Sequence, residues 1–403
     1  MRVGVFGLAV ALAIAGSAVA QAQVKVKIGV LNDQSGIGAA LGGRGSVVAA
    51  QLAAEDYQKA NPGAVVEVVT ADHQNKPDIG AAIARRWFDQ EGVQAIFDVQ
   101  TSSVALAVHD LARQGNKVLI ASGAGTADLT GARCTPNTVH WTYDTWALGN
   151  ALGRATVRAG GKSWFFITAD YSFGHALQRD TSAAVKREGG TVVGQVLHPF
   201  ATTDYSSLIL QAQGSKAQVV GLATSAGDLV NIIKQSAEFG VTQSGQQVAA
   251  LLMFISDVHA LGLEVTQGMT LVSPFYWDQN PETRAWSERV AAKNGGQMPT
   301  MVHAGVYAGL QHYLKALETM PEAKRTDGAA SVQAMKTLPT EDILFGKGSI
   351  RSDGRKLHDM HLFQIKKPSE SKGPYDYYKR LSTVSGQDAF RPLSEGGCTL
   401  AAN

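Results

Sequence analysis

The feature that most restricts how this chain can fold is an alternation, repeated twice along the sequence, between short apolar β-branched runs and longer amphipathic stretches. Residues 24–31 read as a strand, 45–60 as a helix, 65–70 as a strand and 78–90 as a helix. The series continues with a strand at 95–98, a helix at 104–113 and a strand at 117–121. Apolar runs without a polar face imply strands covered on both sides, and short connections through helices imply parallel neighbours. A polar bridge around 138–145 and a helix at 147–159 interrupt the series, which restarts at 163–168. There it runs through a helix at 174–188, a strand at 191–197, a helix at 205–213, a strand at 218–222 and a helix at 227–239. A strand at 248–253, a segment at 269–273 and a long helical region over 282–317 fit either half. Residues 329–335 read as helix and 360–366 as strand, and the tail is rich in turn residues.

The chain has 403 residues, more than the roughly 250 to 300 at which one hydrophobic core stops growing. The expected fold is therefore α/β, with two doubly wound parallel-sheet lobes joined by a multi-stranded hinge as a clamshell. The first lobe is expected over 21–142 with about 255–345, the second over 143–254 with about 346–380, and a C-terminal tail over 381–403. In such sheets ligands lie beyond the carboxyl ends of the strands, which directs attention to the cleft.

The first 20 residues combine Arg2, an apolar run over 3–15 and a small-residue stretch over 16–20, the pattern of a secretory signal cut after Ala20. With no cysteine near that point, the product is expected in the periplasm without a lipid anchor. No later segment approaches the ~18 apolar residues of a membrane span, so transport would need a membrane partner. The net charge is +2 with basic residues dispersed, which argues against nucleic acid as a partner. The two cysteines, Cys134 and Cys398, suit a disulfide in an oxidising compartment, two free thiols being the alternative. A long-range link of this kind typically adds ~2 to 4 kcal/mol.

Catalytic signatures are incomplete. Gly161-Lys162-Ser163 ends like a phosphate-binding loop, but Thr156 stands where its first glycine belongs. Gly36-Ile37-Gly38 begins like a dinucleotide fingerprint, but Leu41 replaces the last glycine. Ser225 in Ala223-Thr224-Ser225-Ala226-Gly227 lacks the first glycine of a nucleophile elbow and suits a loop before a helix. Of ten histidines, His358 and His361 are close in sequence and are expected to face solvent at a turn. Trp141, Tyr143 and Trp146 suit core or hinge packing, with an aromatic pocket as the alternative. The expectation is a non-enzyme without cofactor or metal.

Three loops follow strands and carry small or hydroxyl residues: 32–43, Thr101-Ser102-Ser103 and Ser122-Gly123-Ala124-Gly125-Thr126. The second opens a helix, where hydroxyls and free amides either cap the helix or hold an anion. In the third, two glycines allow backbone to approach a ligand, while Thr126 either contacts it or caps the next turn.

These segments carry a resemblance. Together with the run from Lys27 to Gly36, the stretch from Ser122 to Thr130 and Asp170-Tyr171-Ser172-Phe173-Gly174, the chain resembles the leucine/isoleucine/valine-binding proteins, the type I periplasmic binding proteins of branched-chain amino acid importers. The likeness spans nearly the whole mature chain. It implies that Thr101, Ser102 or Ser103 and Thr126 grip a ligand carboxylate beside Gly125, that the Ala124 carbonyl takes an amino group, and that Phe173, with Tyr171, closes over the ligand from the second lobe. The first loop has Leu41 where the family commonly places an aromatic, and Asp257 is the nearest match to the acidic anchor for an ammonium. The implied function is capture of a branched-chain or other hydrophobic amino acid by lobe closure, by a monomer that delivers it to the permease and ATPase of an ABC importer. Val139-His140-Trp141-Thr142-Tyr143-Asp144-Thr145 is similar to relatives taking aromatic carboxylates, which makes such a ligand the alternative. A ligand sensor feeding a regulator is the alternative of another class.

Overall fold

A computed structural model describes residues 23–401. The expected signal segment and its cleavage point lie outside the described residues. The first sheet contains β1 (Lys25–Asn32), β2 (Val65–Asp72), β3 (Ala95–Asp98), β4 (Val118–Ala121) and β5 (Thr138–His140) in the order β2-β1-β3-β4-β5. All its pairings are parallel. Its connecting helices are α1 (Gly43–Ala60), α2 (Pro77–Asp89) and α3 (Ser102–Gln114). Alternate residues of β3 explain the two-sided burial, since Ala95 and Phe97 enter one core and Ile96 enters another with Trp87 and Val108.

After α4 (Thr145–Arg158) a second parallel sheet forms from β6 (Ser163–Ala169), β7 (Thr191–His198), β8 (Val219–Ala223) and β9 (Gln247–Ala250), ordered β7-β6-β8-β9. Its helices are α5 (Ser172–Arg187), α6 (Ser206–Gly214) and α7 (Ala226–Glu238). The structure has the two α/β lobes expected.

The remaining chain joins them. Short helices α8 (Ile255–Leu261) and α9 (Leu263–Thr266) precede β10 (Thr270–Ser273). Ile255, Val258, Leu261 and Leu271 pack in the second core, although the sequence division at about 255 groups them with the first lobe. The long helical region is two helices, α10 (Pro281–Lys293) and α11 (Met301–Glu318). Gly295 and Gly296 between them both adopt positive φ, and Pro299 precedes the second helix. Arg289 pairs with Asp56 at 2.7 Å and Lys293 with Glu55 at 2.9 Å, fastening α10 to α1. Beyond α12 (Gly328–Thr337), strands β11 (Thr340–Asp342), β12 (Gly346–Ile350) and β13 (Lys356–Leu357) make a small antiparallel sheet, and β14 (Met360–Ile365) joins β10 and β15 (Tyr378–Val384).

Two chain segments run side by side at the crossing. His140 bridges to Arg355, whose buried guanidinium donates to the Tyr143 carbonyl at 3.1 Å and lies 3.5 Å from the Asp144 carboxylate. Asp144 in turn caps α4 through the Ala147 N–H at 2.8 Å. The Lys356 ammonium lies over the Trp141 and Phe345 rings, and burial pushes its pKa down to about 8. Trp141 thus packs at the hinge, as expected. His358 and His361 do not face solvent. His358 is enclosed with Phe345 and Phe390 and bonded to the Thr142 carbonyl at 2.7 Å, while His361 sits between Gln279 and Thr383. The long-range packing that encloses them leaves no local signal at a turn. Cys134 and Cys398 form a disulfide. Among the described residues no helix is long and apolar enough to cross a membrane, and no His, Cys, Asp and Glu group is arranged to hold a metal.

Candidate binding cleft

The loops at the carboxyl ends of both sheets face one another. On the first-lobe side, β3 ends in two consecutive residues of left-handed backbone, Asp98 with φ of 77° and Val99 with φ of 53°. Non-glycine residues avoid this region, and such strain gathers at functional turns. The turn aims Thr101, Ser102 and Ser103 into the start of α3, where the first amides have no partner within the helix. Thr101 gives its hydroxyl to Asn75 and does not cap α3 with its side chain. Ser102 Oγ accepts the Thr126 N–H at 3.2 Å, binding two of the expected loops together, and Ser103 sits beside it with partial exposure. Asp98 holds the base of the Ser122 loop, its carbonyl accepting the Ser122 and Gly123 N–H groups at 3.3 Å each. Its carboxyl accepts from Asn32 at 3.0 Å, and burial pushes its pKa up to about 6.

The Tyr143 hydroxyl donates to the Gly123 carbonyl at 2.6 Å. The Ala124 carbonyl lies 2.6 Å from Nε2 of His140. Burial drives the His140 pKa well below its usual value, so the ring is neutral and carries its proton on Nε2 to donate there. Thr126 Oγ1 accepts the Asp128 N–H at 3.3 Å, the capping role foreseen as the competing reading, at the start of a 3-10 turn over Ala127–Thr130.

The facing side is aromatic. Phe173, in the first turn of α5, presses its ring onto Gly125: a Cβ there would come within 2.6 Å of the ring and 3.3 Å of Tyr143. Tyr171 lies 6.0 Å from Phe173 and 5.4 Å from Phe200, centroid to centroid, and Tyr143 meets Phe254 edge-on at 6.1 Å. The first loop closes the same gap. Asp33 accepts the Gly36 N–H at 2.7 Å and the Gly38 N–H at 2.8 Å, and the Ile37 carbonyl accepts from Gly227 of the second lobe at 3.4 Å. Gly227 follows Ala226, itself at φ of 57°, and a Cβ on Gly227 would stand 3.1 Å from Ile37. Ser225 opens α7 in a loop position, as its sequence context suggested. An ion pair of 3.2 Å between Asp128 and Arg179 spans the lobes at the rim.

Asp257 lies in the first turn of α8, buried, and accepts the Phe254 N–H at 2.8 Å. Desolvation pushes its pKa up to about 7. The structure therefore brings Ser102, Ser103, Ala124, Gly125, Thr126, Tyr171 and Phe173 to one cleft. Thr101 serves the loop behind it, and Asp257 caps its own helix beside Phe254. Sequence reasoning covered Asp33 and Ile37 only within the 32–43 loop and His140 only within the stretch from Val139 to Thr145, and it missed Asn75 and Phe254, whose roles depend on partners far along the chain.

A family model described as periplasmic binding protein matches residues 25–374. A Brucella melitensis protein named Leu/Ile/Val-binding protein homolog 6 is 27% identical over 331 residues, covering 80% of this chain and 82% of the relative. A crystal structure of a periplasmic binding protein from Burkholderia mallei superposes with a TM-score of 0.90 at 46% identity, covering 93% of this chain and 99% of the other. A branched chain amino acid ABC transporter periplasmic ligand-binding protein from Burkholderia xenovorans LB400 gives a TM-score of 0.82 at 36% identity, covering 93% and 100%.

Proposed function

The chain belongs to the periplasmic binding protein family, and from that premise we propose that it is the substrate-binding component of an ABC importer, capturing a small carboxylate with an apolar body between its lobes. The reading rests above all on the junction of Ser102 with the Thr126 N–H at the start of α3. Hydroxyls and unpaired helix amides there offer an anion several donors at once, in a site already ordered. Phe173, Tyr171, Tyr143 and Phe254 supply an apolar enclosure for the rest of the ligand. Such a protein needs no nucleophile: a few directed hydrogen bonds and closure suffice for micromolar binding, which is about 8 kcal/mol. The closed form is the one a permease would recognise.

A hydrophobic amino acid is the first candidate, with Asp257 as the partner for its ammonium. An aromatic carboxylate is the second, favoured by one observation: His140 already donates to the Ala124 carbonyl, the acceptor that the amino acid reading assigns to the ligand. A thermal-shift series with L-leucine, L-phenylalanine, benzoate and 4-hydroxybenzoate separates them, because a ligand of the native state raises Tm by mass action. Shifts with the amino acids alone establish the first candidate, and shifts with the benzoates alone the second. No shift with any of the four removes both.

A further inference from the structure

We propose that the C-terminal tail is a positioning element of the ligand loop, with Arg391 as the positioning residue. The proposal rests on the reading of Thr126 as a ligand contact and adds a residue 265 positions away, which nothing near the cleft in sequence announces.

The turn over Ala127–Thr130 is the segment that must hold Thr126 in place, and its own bonds are few. The Leu129 N–H reaches the Thr126 carbonyl at 3.5 Å and the Gly131 N–H reaches the Asp128 carbonyl at 3.1 Å. A 3-10 turn this short is poorly bonded internally and takes its rigidity from outside. Three outside ties meet on it. Thr145 Oγ1, at the start of α4, accepts the Ala127 N–H at 3.2 Å. Arg179 of the second lobe reaches Asp128. Arg391 Nη2 donates to the Ala127 carbonyl at 3.0 Å, with its guanidinium against Gly131, where a Cβ would stand 2.7 Å from Nη2.

Arg391 is itself held on both sides. Its carbonyl accepts from Arg351 at 2.7 Å, and Arg351 is paired with buried Asp353. The preceding Phe390 is buried beneath the Arg355 guanidinium at 4.5 Å. Beyond it, Cys398 is bonded to Cys134, which follows Gly131 by three residues and donates its N–H to the Gly131 carbonyl at 2.9 Å. The tail is thus covalently anchored just past the turn that Arg391 grips, and the charged hydrogen bond fixes the carbonyl one residue after Thr126. A tail that only sealed the hinge would need Phe390 but not this contact.

The test uses the mature protein and three variants: Arg391→Ala, Arg391→Lys, and Cys134→Ser with Cys398→Ser. Two readouts are taken, amide hydrogen exchange over 126–131 and the Kd for L-leucine or 4-hydroxybenzoate, whichever shifts Tm. Arg391→Ala is expected to speed exchange within 126–131 and weaken binding about 3- to 10-fold, the size of one partly exposed charged hydrogen bond. Arg391→Lys should recover part of both, and the double serine variant should show the same exchange pattern. Unchanged exchange over 126–131 in Arg391→Ala overturns the proposal, as does a loss spread evenly through the hinge. If exchange rises and Thr126→Ala weakens binding while Arg391→Ala does not, positioning by the tail is wrong and the site stands. If Thr126→Ala also leaves Kd unchanged, the reading of the site fails first and takes the proposal with it.

Discussion

The two walls of the cleft are built from different materials. The first-lobe wall is polar and tied down: Asp98 and Val99 in left-handed backbone, Ser102 bonded to Thr126, His140 to Ala124, Tyr143 to Gly123, and Asp33 to two amides of its own loop. The second-lobe wall is aromatic, with Tyr171 in contact with both Phe173 and Phe200, and a long backbone hydrogen bond, Gly227 to Ile37, crosses the gap. Directional groups preordered on one wall can select a ligand before closure. Apolar rings on the other gain their stabilisation only once water is excluded, which makes closure depend on what has been bound.

That division is broken most severely by removing the place where the walls meet. Gly125→Val puts a side chain into the Phe173 ring, and the lobes can no longer seat together. Ligand affinity is expected to fall by about 100-fold or more, equal to ~2.7 kcal/mol, with a lowered Tm because Phe173 and Tyr143, which the new side chain would meet, are buried in the core. Titration calorimetry on Gly125→Val and on Gly125→Val with Phe173→Ala checks it: partial recovery in the double variant identifies the clash as the cause. Thr126→Ala tests the polar wall alone. A lost hydrogen bond to a buried carboxylate is expected to cost ~1 to 3 kcal/mol of binding, with closure in the absence of ligand unaltered. A Kd equal to wild type removes Thr126 from the site.

Asp257 sharpens the comparison through pH. Its folded pKa of about 7 lies above the unfolded value near 3.8, so between these values the folded state holds a proton that the unfolded state has released. Its contribution to stability is therefore full at low pH and is lost as pH rises through about 7. His73 and His303, pushed down to about 4 by burial, act in the opposite sense below 6.5 and are common to both proteins compared. Asp257→Asn should thus flatten the dependence of Tm on pH and raise Tm at pH 8 by about 1 to 3 °C. The same variant loses binding of a hydrophobic amino acid but keeps that of an aromatic carboxylate.

What the sequence reveals of this fold follows the same physics. The inner strands of the parallel sheets were legible because strands buried on both faces are continuous apolar runs, and the more exposed edge strands β2 and β7 because they still carry β-branched runs. β15 was not, since Tyr378–Val384 is mostly exposed and carries Lys379 and Arg380, as an edge strand does. β5 has only three residues, and the break at 294–300 is too short to interrupt a reading of helix over 282–317. In the cleft, composition pointed to Thr101 through Ser103 and Ala124 through Thr126, because hydroxyls and glycines after strands are a local signal. Which groups were already engaged was invisible: the Ala124 carbonyl accepts from His140 and the Thr101 hydroxyl donates to Asn75, through contacts that only the folded chain makes.

The smallest expected effect concerns the rim. Asp128 and Arg179 are both well exposed, and an exposed ion pair contributes only ~0.2 to 1 kcal/mol, so Asp128→Ala should weaken binding slightly and lose that difference at high salt. Arg179→Ala should do more, because Arg179 also lies 2.9 Å from Asp180, a carboxylate that is 6% exposed and bonded to Thr145 at 2.6 Å. Burial pushes the Asp180 pKa up and Arg179 opposes it, so without the guanidinium that carboxyl is protonated more readily. Since Thr145 also accepts the Ala127 N–H, the change reaches the turn over Ala127–Thr130. Kd measured for both variants at low and high salt separates the two roles. Equal losses that vanish with salt confine Arg179 to the rim, whereas an additional salt-resistant loss in Arg179→Ala shows that the second lobe orders the polar wall through Asp180 and Thr145.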